Sequence, residues 1–451
     1  MHLDVQGPRL RVGLESALRD AVRSGRLATG TRLPSSRSLA ADLGLARNTI
    51  AAAYGQLVAE GWLTAVPGSG TRVAGLPVAE ADPGPVGVTA RRARFDLTAG
   101  SPDVAAFPRA AWIAAARRAL SDASPDALGY AEPAGRPELR AALAEYLARA
   151  RGVRSTPAAI VVCSGFAQGL ALVGSVLRAR GATSLAVEAF GHARHRETIA
   201  ASGLAVATVP VDLHGASVSG LDADAALLTP AHQFPLGSVL SAARRTEAIE
   251  WASAGSRLIV EDDYDGEFRY DRRPVGAMQA RAPEHVIYAG TASKSLAPGL
   301  RLAWLALPPD LVEAVTEARE LTGGPSTLEQ LALARLLASG AYDRQVRRMR
   351  LAYRRRRDRL VAALAREVPG ARVTGVAAGL HAVVELPAGL EEHEVVARAF
   401  DRGLLVEGLS SFAAEGHERP ASLVVGYGTP PEHAFSGAVA RLCAVLRAPV
   451  G

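Results

Sequence analysis

Lysine is almost missing from this chain of 451 residues: 50 of its 51 basic side chains are arginine, and Lys294 is the single lysine. Arginine keeps its charge at every accessible pH and forms no imine under ordinary conditions, whereas a desolvated lysine can lose its proton and attack an aldehyde. A position that keeps a primary amine against such a composition is a candidate for that chemistry; chance survival of one lysine is the plainer account. Cysteine is scarce too. Cys163 and Cys443 supply neither a disulfide framework nor a metal cluster, so use as small buried hydrophobes is expected and no metal site is. No apolar run is long enough to cross a bilayer, and no charged-then-apolar leader opens the chain, so a soluble, cytoplasmic protein without a membrane partner is expected.

With 49% hydrophobic and 21% charged residues, the chain is globular and too long for one ordinary core, which favours two or three domains. A net charge of +6 is modest and does not by itself imply nucleic acid. Its distribution is more informative. Residues 1–76 hold nine Arg against five Asp and Glu, a net of 9 − 5 = +4.

Leu14, Leu18 and Val22 recur at helical spacing within residues 9–24, and Gly25 follows as a stop. In "LPSSRSLAADLGLARNTIAAAYGQLVAEGWL", Leu39 and Leu43 make one short apolar face, Gly44 breaks it, and Ile50, Tyr54 and Leu57 continue on a second helix. That is a helix-turn-helix pattern. "WLTAVPGSGTRVAG" then reads as a two-stranded wing. These residues, 1–76, are expected to form one domain, with 77–94, rich in Pro, Gly and Ala, as a linker.

From residue 95 strand and helix signals alternate. Strands are predicted at 160–164, 184–190, 206–211, 225–230, 257–264, 286–291 and 301–308, with helix-length segments between several of them. A largely parallel sheet covered on both faces is expected for a large domain, 95–343, followed by a smaller α+β domain, 344–451.

The N-terminal module has the makings of a DNA reader. The first turn of a recognition helix reaches base edges while the first helix and wing touch phosphates. Arg47, Asn48 and Thr49 occupy that turn, and Arg and Asn pair with guanine and adenine edges. Arg32 and Arg37 are candidates for phosphate contacts, and the tip from Gly68 to Gly70, with Arg72 behind it, for the minor groove. A helical hairpin that binds protein is the plainer alternative. The module resembles the winged DNA-binding domain of the GntR regulators along nearly its whole length. Ala46 stands where that family commonly has Ser before the recognition-helix Arg, which predicts weaker helix capping.

A Schiff-base lysine needs a carbonyl partner, and pyridoxal 5′-phosphate is the obvious one; its protein must add a phosphate cradle, a carboxylate for the pyridine nitrogen and a flat group against the ring. Thr291, Ser293 and Arg301 flank Lys294 and offer hydroxyls and a bidentate cation to a phosphate. "CSGFAQG" (163–169) ends a strand and opens a helix, where free N–H groups attract anions. Asp262, in "EDDYD" 32 residues before Lys294, is the candidate for the pyridine nitrogen. Each signal alone is ordinary loop or cap chemistry; their order along successive strands, ending at the sole lysine, favours the cofactor.

Residues 95 to about 430 resemble the aspartate-aminotransferase fold, a type I pyridoxal-phosphate fold. Joined to the winged module they resemble the MocR subfamily of GntR regulators, through "YAEPAGRPELR", "TPAHQFPLG", "EDDYDGEFRYD", "GTASKSLAPGLR" and "RRMRLAYRRRRD". The resemblance implies that Lys294 would form the Schiff base, that Asp262 would pair with the pyridine nitrogen, and that Tyr264 would lie near the ring hydroxyl. It also implies a phosphate site lined by Phe166, Ala167, Thr291, Ser293 and Arg301, with Tyr130 reaching in from the other subunit of a homodimer.

Three departures from the family pattern bear on function. His192 stands where relatives often place a ring-stacking Tyr, and Ala292 replaces a usual Phe. Val424 and Val425 occupy the region in which aminotransferases hold the substrate carboxylate with an Arg; Arg194 is a candidate replacement. The stretch 344–359 carries nine Arg and one Asp, which fits a solvated face, a dimer contact or a second DNA contact. The expectation is a dimeric, cofactor-responsive transcriptional regulator that binds operator DNA. Its effector would be pyridoxal phosphate, linked to vitamin synthesis or salvage, or an amine. A working aminotransferase on an amino acid is the alternative, and enzymatic turnover is left open.

Overall fold

Apolar residues at helical spacing bring three helices together in the first of two units, Met1–Ala90 and Arg91–Gly451, into which this computed structural model divides. The structure describes residues 10–66, 69–75, 93–130, 132–270 and 275–447. Helices α1 (Leu10–Arg23), α2 (Ser36–Leu43) and α3 (Arg47–Ala59) precede a hairpin of β1 (Leu63–Val66) and β2 (Gly70–Val73). Leu14, Leu18, Leu39, Ile50, Leu57, Leu63 and Val73 form their shared core. The Ser35 side chain accepts the Ser38 N–H and starts α2, and Gly44 ends it at φ 65°, a left-handed conformation that costs glycine little. By contrast α3 begins at Ala46 with no side-chain cap. Residues 31–33 add a third strand to the wing through Leu33 N–H to Thr71 O (2.9 Å) and Val73 N–H to Thr31 O (3.0 Å), a pairing too short to leave a period in the sequence.

The second unit is built on seven strands in the order Ile160–Cys163, Ala303–Ala306, Val286–Thr291, Leu258–Asp262, Ala225–Leu228, Ser184–Glu188, Ala205–Val209. Only Ala303–Ala306 runs against its neighbours. Successive side chains of a strand point to opposite faces: Val161 and Cys163 pack with the helices Phe166–Ala179 and Val312–Thr322, Ile160 and Val162 with Pro137–Arg151 and Thr327–Ala338. Burial on both faces accounts for the nearly unbroken apolar runs. The run predicted for 206–211 ends at Val209, because Pro210 has no N–H for the ladder.

A second, antiparallel sheet joins Arg372–Thr374, His381–Glu385, Ser422–Gly426 and Glu407–Gly408, packed on the helices Ala341–Glu367, Glu392–Asp401 and Glu432–Arg447. Phe95–Asp96 pairs with Leu404–Leu405, and Leu97 lies in the core under this sheet. The segment at 95 therefore lies with the smaller sheet, whereas its place in the chain groups it with the larger one. Among the described residues no helix is long and apolar enough to cross a membrane.

Candidate cofactor pocket and nucleic-acid interface

Glu188, Asp262 and Thr291 are each the last residue of a strand in the large sheet, and a cavity of about 400 Å³ opens where those strands end. Such ends are where open α/β sheets bind ligands. Lys294 lines this cavity three residues after Thr291, and its amine donates to the Gly100 carbonyl. Burial lowers the Lys294 pKa, opposed by Asp262 and Asp265. Burial also raises Asp262 well above the usual carboxylate range, with Lys294 opposing. Desolvation thus favours the neutral amine, the form that attacks a carbonyl.

An anion cradle adjoins the lysine. The helix Phe166–Ala179 starts at Gly165 with no side-chain cap, so the N–H groups of its first turn are free for a ligand. Thr291 Oγ1 donates to Ser293 Oγ (2.9 Å), and Arg301 Nη2 donates to the Ser164 carbonyl (2.8 Å). Gly165 has φ 99°, and a Cβ there would sit 2.6 Å from Arg301 Nη2, so only glycine leaves the guanidinium its place. Amine, buried carboxylate, free helix N–H groups, two hydroxyls and a guanidinium converge on one cavity. That donor set fits a phosphorylated aldehyde with a basic ring nitrogen.

Nine of the ten cofactor residues expected from the sequence line this cavity: Lys294, Asp262, Tyr264, His192, Phe166, Ala167, Thr291, Ser293 and Arg301. Tyr130 does not; it is wholly exposed on the single chain. His192 stacks on Phe234 with centroids 4.2 Å apart and planes at 20°, and burial pushes its pKa down to about 4. It is therefore a neutral, flat ring at ordinary pH. Arg194 lines the cavity, and its guanidinium has no partner among the described residues. Val424 packs with Phe190, Phe234, Val383 and Phe412 in an apolar cluster, and Val425 belongs to the core under the smaller sheet.

Sequence reasoning missed a second set of polar groups. His232 Nδ1 lies 2.8 Å from Asp265 Oδ2 and 3.1 Å from the Tyr264 hydroxyl. Glu188 is buried in the cavity wall, where its carboxylate accepts from Thr229 N–H, Thr229 Oγ1 and Gln233 Nε2. Burial pushes its pKa up to about 7 despite those bonds. The clue is an acid closing the apolar run "SLAVE" and a His-Gln pair inside "TPAHQFPLG". Cys163 and Cys443 are buried, as expected.

In the first unit Arg47 and Asn48 are exposed on the opening turn of α3, with Thr49 half-buried beside them and Arg37 exposed on α2. Arg32 and Arg72 face each other across the short third strand of the wing, and Arg72 Nη1 donates to the Gly30 carbonyl (3.0 Å). Gly70 turns at φ 89° next to the Arg32 guanidinium. Gly68 lies outside the described residues.

Residues 10–73 match the family "Bacterial regulatory proteins, gntR family", and residues 94–431 match "Aminotransferase class I and II". The HTH-type pyridoxine biosynthesis transcriptional regulator PdxR of Corynebacterium glutamicum is 34% identical over 439 residues, covering 95% of this chain and 94% of that protein. The chain belongs to this family of GntR-type regulators with an aminotransferase domain. The probable rhizopine catabolism regulatory protein MocR of Rhizobium meliloti is 32% identical over 419 residues, covering 86% of this chain and 83% of that protein. Among solved structures, the α-aminoadipate aminotransferase LysN of Thermus thermophilus, complexed with N-(5′-phosphopyridoxyl)-L-leucine, superposes with a TM-score of 0.70. It is 26% identical and covers 79% of this chain and 96% of its own. The chain is thus a DNA-binding transcriptional regulator, and membership of the aminotransferase class implies pyridoxal 5′-phosphate as its cofactor.

Proposed function

We propose that this MocR-type regulator is a cytoplasmic homodimer that senses pyridoxal 5′-phosphate itself and so controls synthesis or salvage of the vitamin. When bound, the cofactor supplies an aldehyde and an electron-poor ring. Lys294 contributes the amine, whose pKa burial lowers. The Asp262 carboxylate holds a proton at the ring nitrogen, the Tyr264 hydroxyl, braced by His232, meets the ring hydroxyl, and His192 lies against the ring. The first-turn N–H groups of Phe166 and Ala167, with Thr291, Ser293 and Arg301, hold the phosphate. Tyr130, exposed on one chain, reaches the partner's phosphate. In the first unit, Arg47, Asn48 and Thr49 read bases, Arg32 and Arg37 bind phosphates, and Gly68, Gly70 and Arg72 form the wing contact.

The observation that carries the choice of effector is the apolar cluster around Val424. A buried carboxylate without a cation there is costly, which disfavours an amino-acid effector and catalytic transamination. The regulator named for pyridoxine biosynthesis, among the relatives above, points the same way. The Arg194 guanidinium, which lines the cavity without a partner among the described residues, supports a second reading, an amine with a carboxylate or sulfonate such as γ-aminobutyrate or taurine. Fluorescence anisotropy on the DNA upstream of the protein's own gene, at fixed salt, separates the readings. Added pyridoxal phosphate is expected to change affinity or stoichiometry for the wild type and not for Lys294→Ala. An unchanged wild type, or a response that requires a further amine, overturns the proposal.

A further inference from the structure

The arginine-rich stretch separates, in the helix Ala341–Glu367, into two populations. One serves the fold. Arg356 is buried, with Nη2 on Asp103 (2.6 Å), Nε on Glu432 (2.9 Å) and Nη1 on the Pro430 carbonyl (2.8 Å). Arg359 shares Glu432, and Arg348 donates to the Ala106 carbonyl. The other population has no such work. Arg347, Arg350, Arg355 and Arg357 have no hydrogen-bond or ion-pair partner among the described residues, and Arg354 has only Asp358 at 4.0 Å; Arg355 lies on another face of the helix, apart from the other four.

At 3.6 residues per turn, positions 347, 350, 354 and 357 fall within an arc of roughly 80° and along roughly 15 Å of helix axis. They form one cationic stripe, flanking the buried line of Tyr342, Val346, Met349, Tyr353 and Leu360. Like charges at i,i+3 and i,i+4 repel one another, so the stripe is destabilising unless something anionic neutralises it. Asp343, the acid of the first turn, is already held by Arg149 at 2.9 Å. A second copy of the same stripe would repel it. The polyanion that this protein already binds carries about one negative charge per 1.7 Å of duplex, dense enough to meet every guanidinium in the row.

We infer that Arg347, Arg350, Arg354 and Arg357 form a second, sequence-independent DNA site on the aminotransferase-like unit, contacting backbone phosphates of duplex beside the operator. The inference rests on the DNA-binding assignment of the family and not on the choice of effector.

The test uses full-length protein carrying Arg347→Gln, Arg350→Gln, Arg354→Gln and Arg357→Gln together; Arg347 and Arg354 are exposed, and Arg350 and Arg357 half-buried. Affinity is measured against salt on an operator fragment with about 20 extra base pairs on each side and on the minimal operator. Neutralised phosphates each contribute about 0.9 to the slope of log affinity against log salt. On the long fragment the slope is expected to fall by about 3 to 4 in the variant, with little change on the minimal operator, and the corresponding Arg→Lys variant is expected to keep the wild-type slope. An unchanged slope on the long fragment overturns the inference. So does a loss of affinity that tracks dimer dissociation in sedimentation, which would make the stripe a protein contact. Pyridoxal phosphate's effect on the minimal operator is read in the same experiment, so failure of the sensing proposal remains distinguishable from failure of the stripe.

Discussion

Glu188 shows what one buried group does to the whole chain. Its carboxylate accepts three hydrogen bonds, each of which favours the charged form, yet burial outweighs them and lifts its pKa from 4.5 to about 7. The folded state therefore holds this proton more tightly than the unfolded chain. Stability from this group is full below about pH 4.5, declines as pH rises, and levels off above about 7, a loss of roughly 3 kcal/mol. Glu261 and Glu267, also pushed up to about 7 by burial, act in the same direction. Glu188→Gln removes one share of the slope while keeping an amide in the cavity wall. Thermal melts across that window are expected to fall less steeply with pH for the variant than for the wild type; parallel curves would show that Glu188 is already relieved of its charge by another route.

At the scale of elements, the two helices of the reading motif make a controlled comparison inside one chain. Ser35 caps α2 through the Ser38 N–H, while Ala46 leaves the first turn of α3 uncapped. Ala46→Ser restores a side-chain acceptor and is expected to stabilise the first unit by about 0.5 to 2 kcal/mol, read as a higher melting temperature of its transition. The opening turn that carries the exposed Arg47 and Asn48 should then be better ordered. The missing cap is legible in the sequence, because capping is decided within a few residues. The seven strands of the large sheet are legible for a similar reason, since each is a short apolar run bounded by turn residues. Pairings between distant segments are not. The strand at residues 31–33 and the pairing of Phe95–Asp96 with Leu404–Leu405 depend on partners about 40 and 300 residues away, and no local period encodes them. The pocket follows the same division: Lys294, Asp262 and Arg301 announce themselves by chemistry and order, whereas the bracing of Tyr264 by His232 and Asp265 requires the strands to be side by side.

For the whole molecule, the question is what covers the apolar surface of the second unit. Ile113 and Leu120 are 57% and 54% exposed and lie seven residues apart, on one face of the helix Arg109–Asp122. That helix packs on Thr327–Ala338, where Leu328 is also exposed, and Leu128 and the wholly exposed Tyr130 follow it in the chain. Apolar side chains grouped in this way mark an association surface more often than scattered ones do. A second copy covering that face would account both for the grouping and for a tyrosine wholly exposed on its own chain. Leu120→Arg, which places a charge in the face at a residue that neither lines the cavity nor belongs to α3, is expected to yield a monomer in sedimentation. If two reading helices engage two half-sites together, losing the dimer removes their effective concentration, a gain worth about 10² to 10⁴ in affinity. The variant should therefore bind a two-half-site operator that much more weakly while binding a single half-site as the wild type does. Its pyridoxal-phosphate affinity should fall as well if, as proposed above, Tyr130 of one subunit completes the phosphate site of the other. A variant that stays dimeric, or a monomer that keeps full cofactor affinity, would place the subunit contact elsewhere and return Tyr130 to an ordinary exposed side chain.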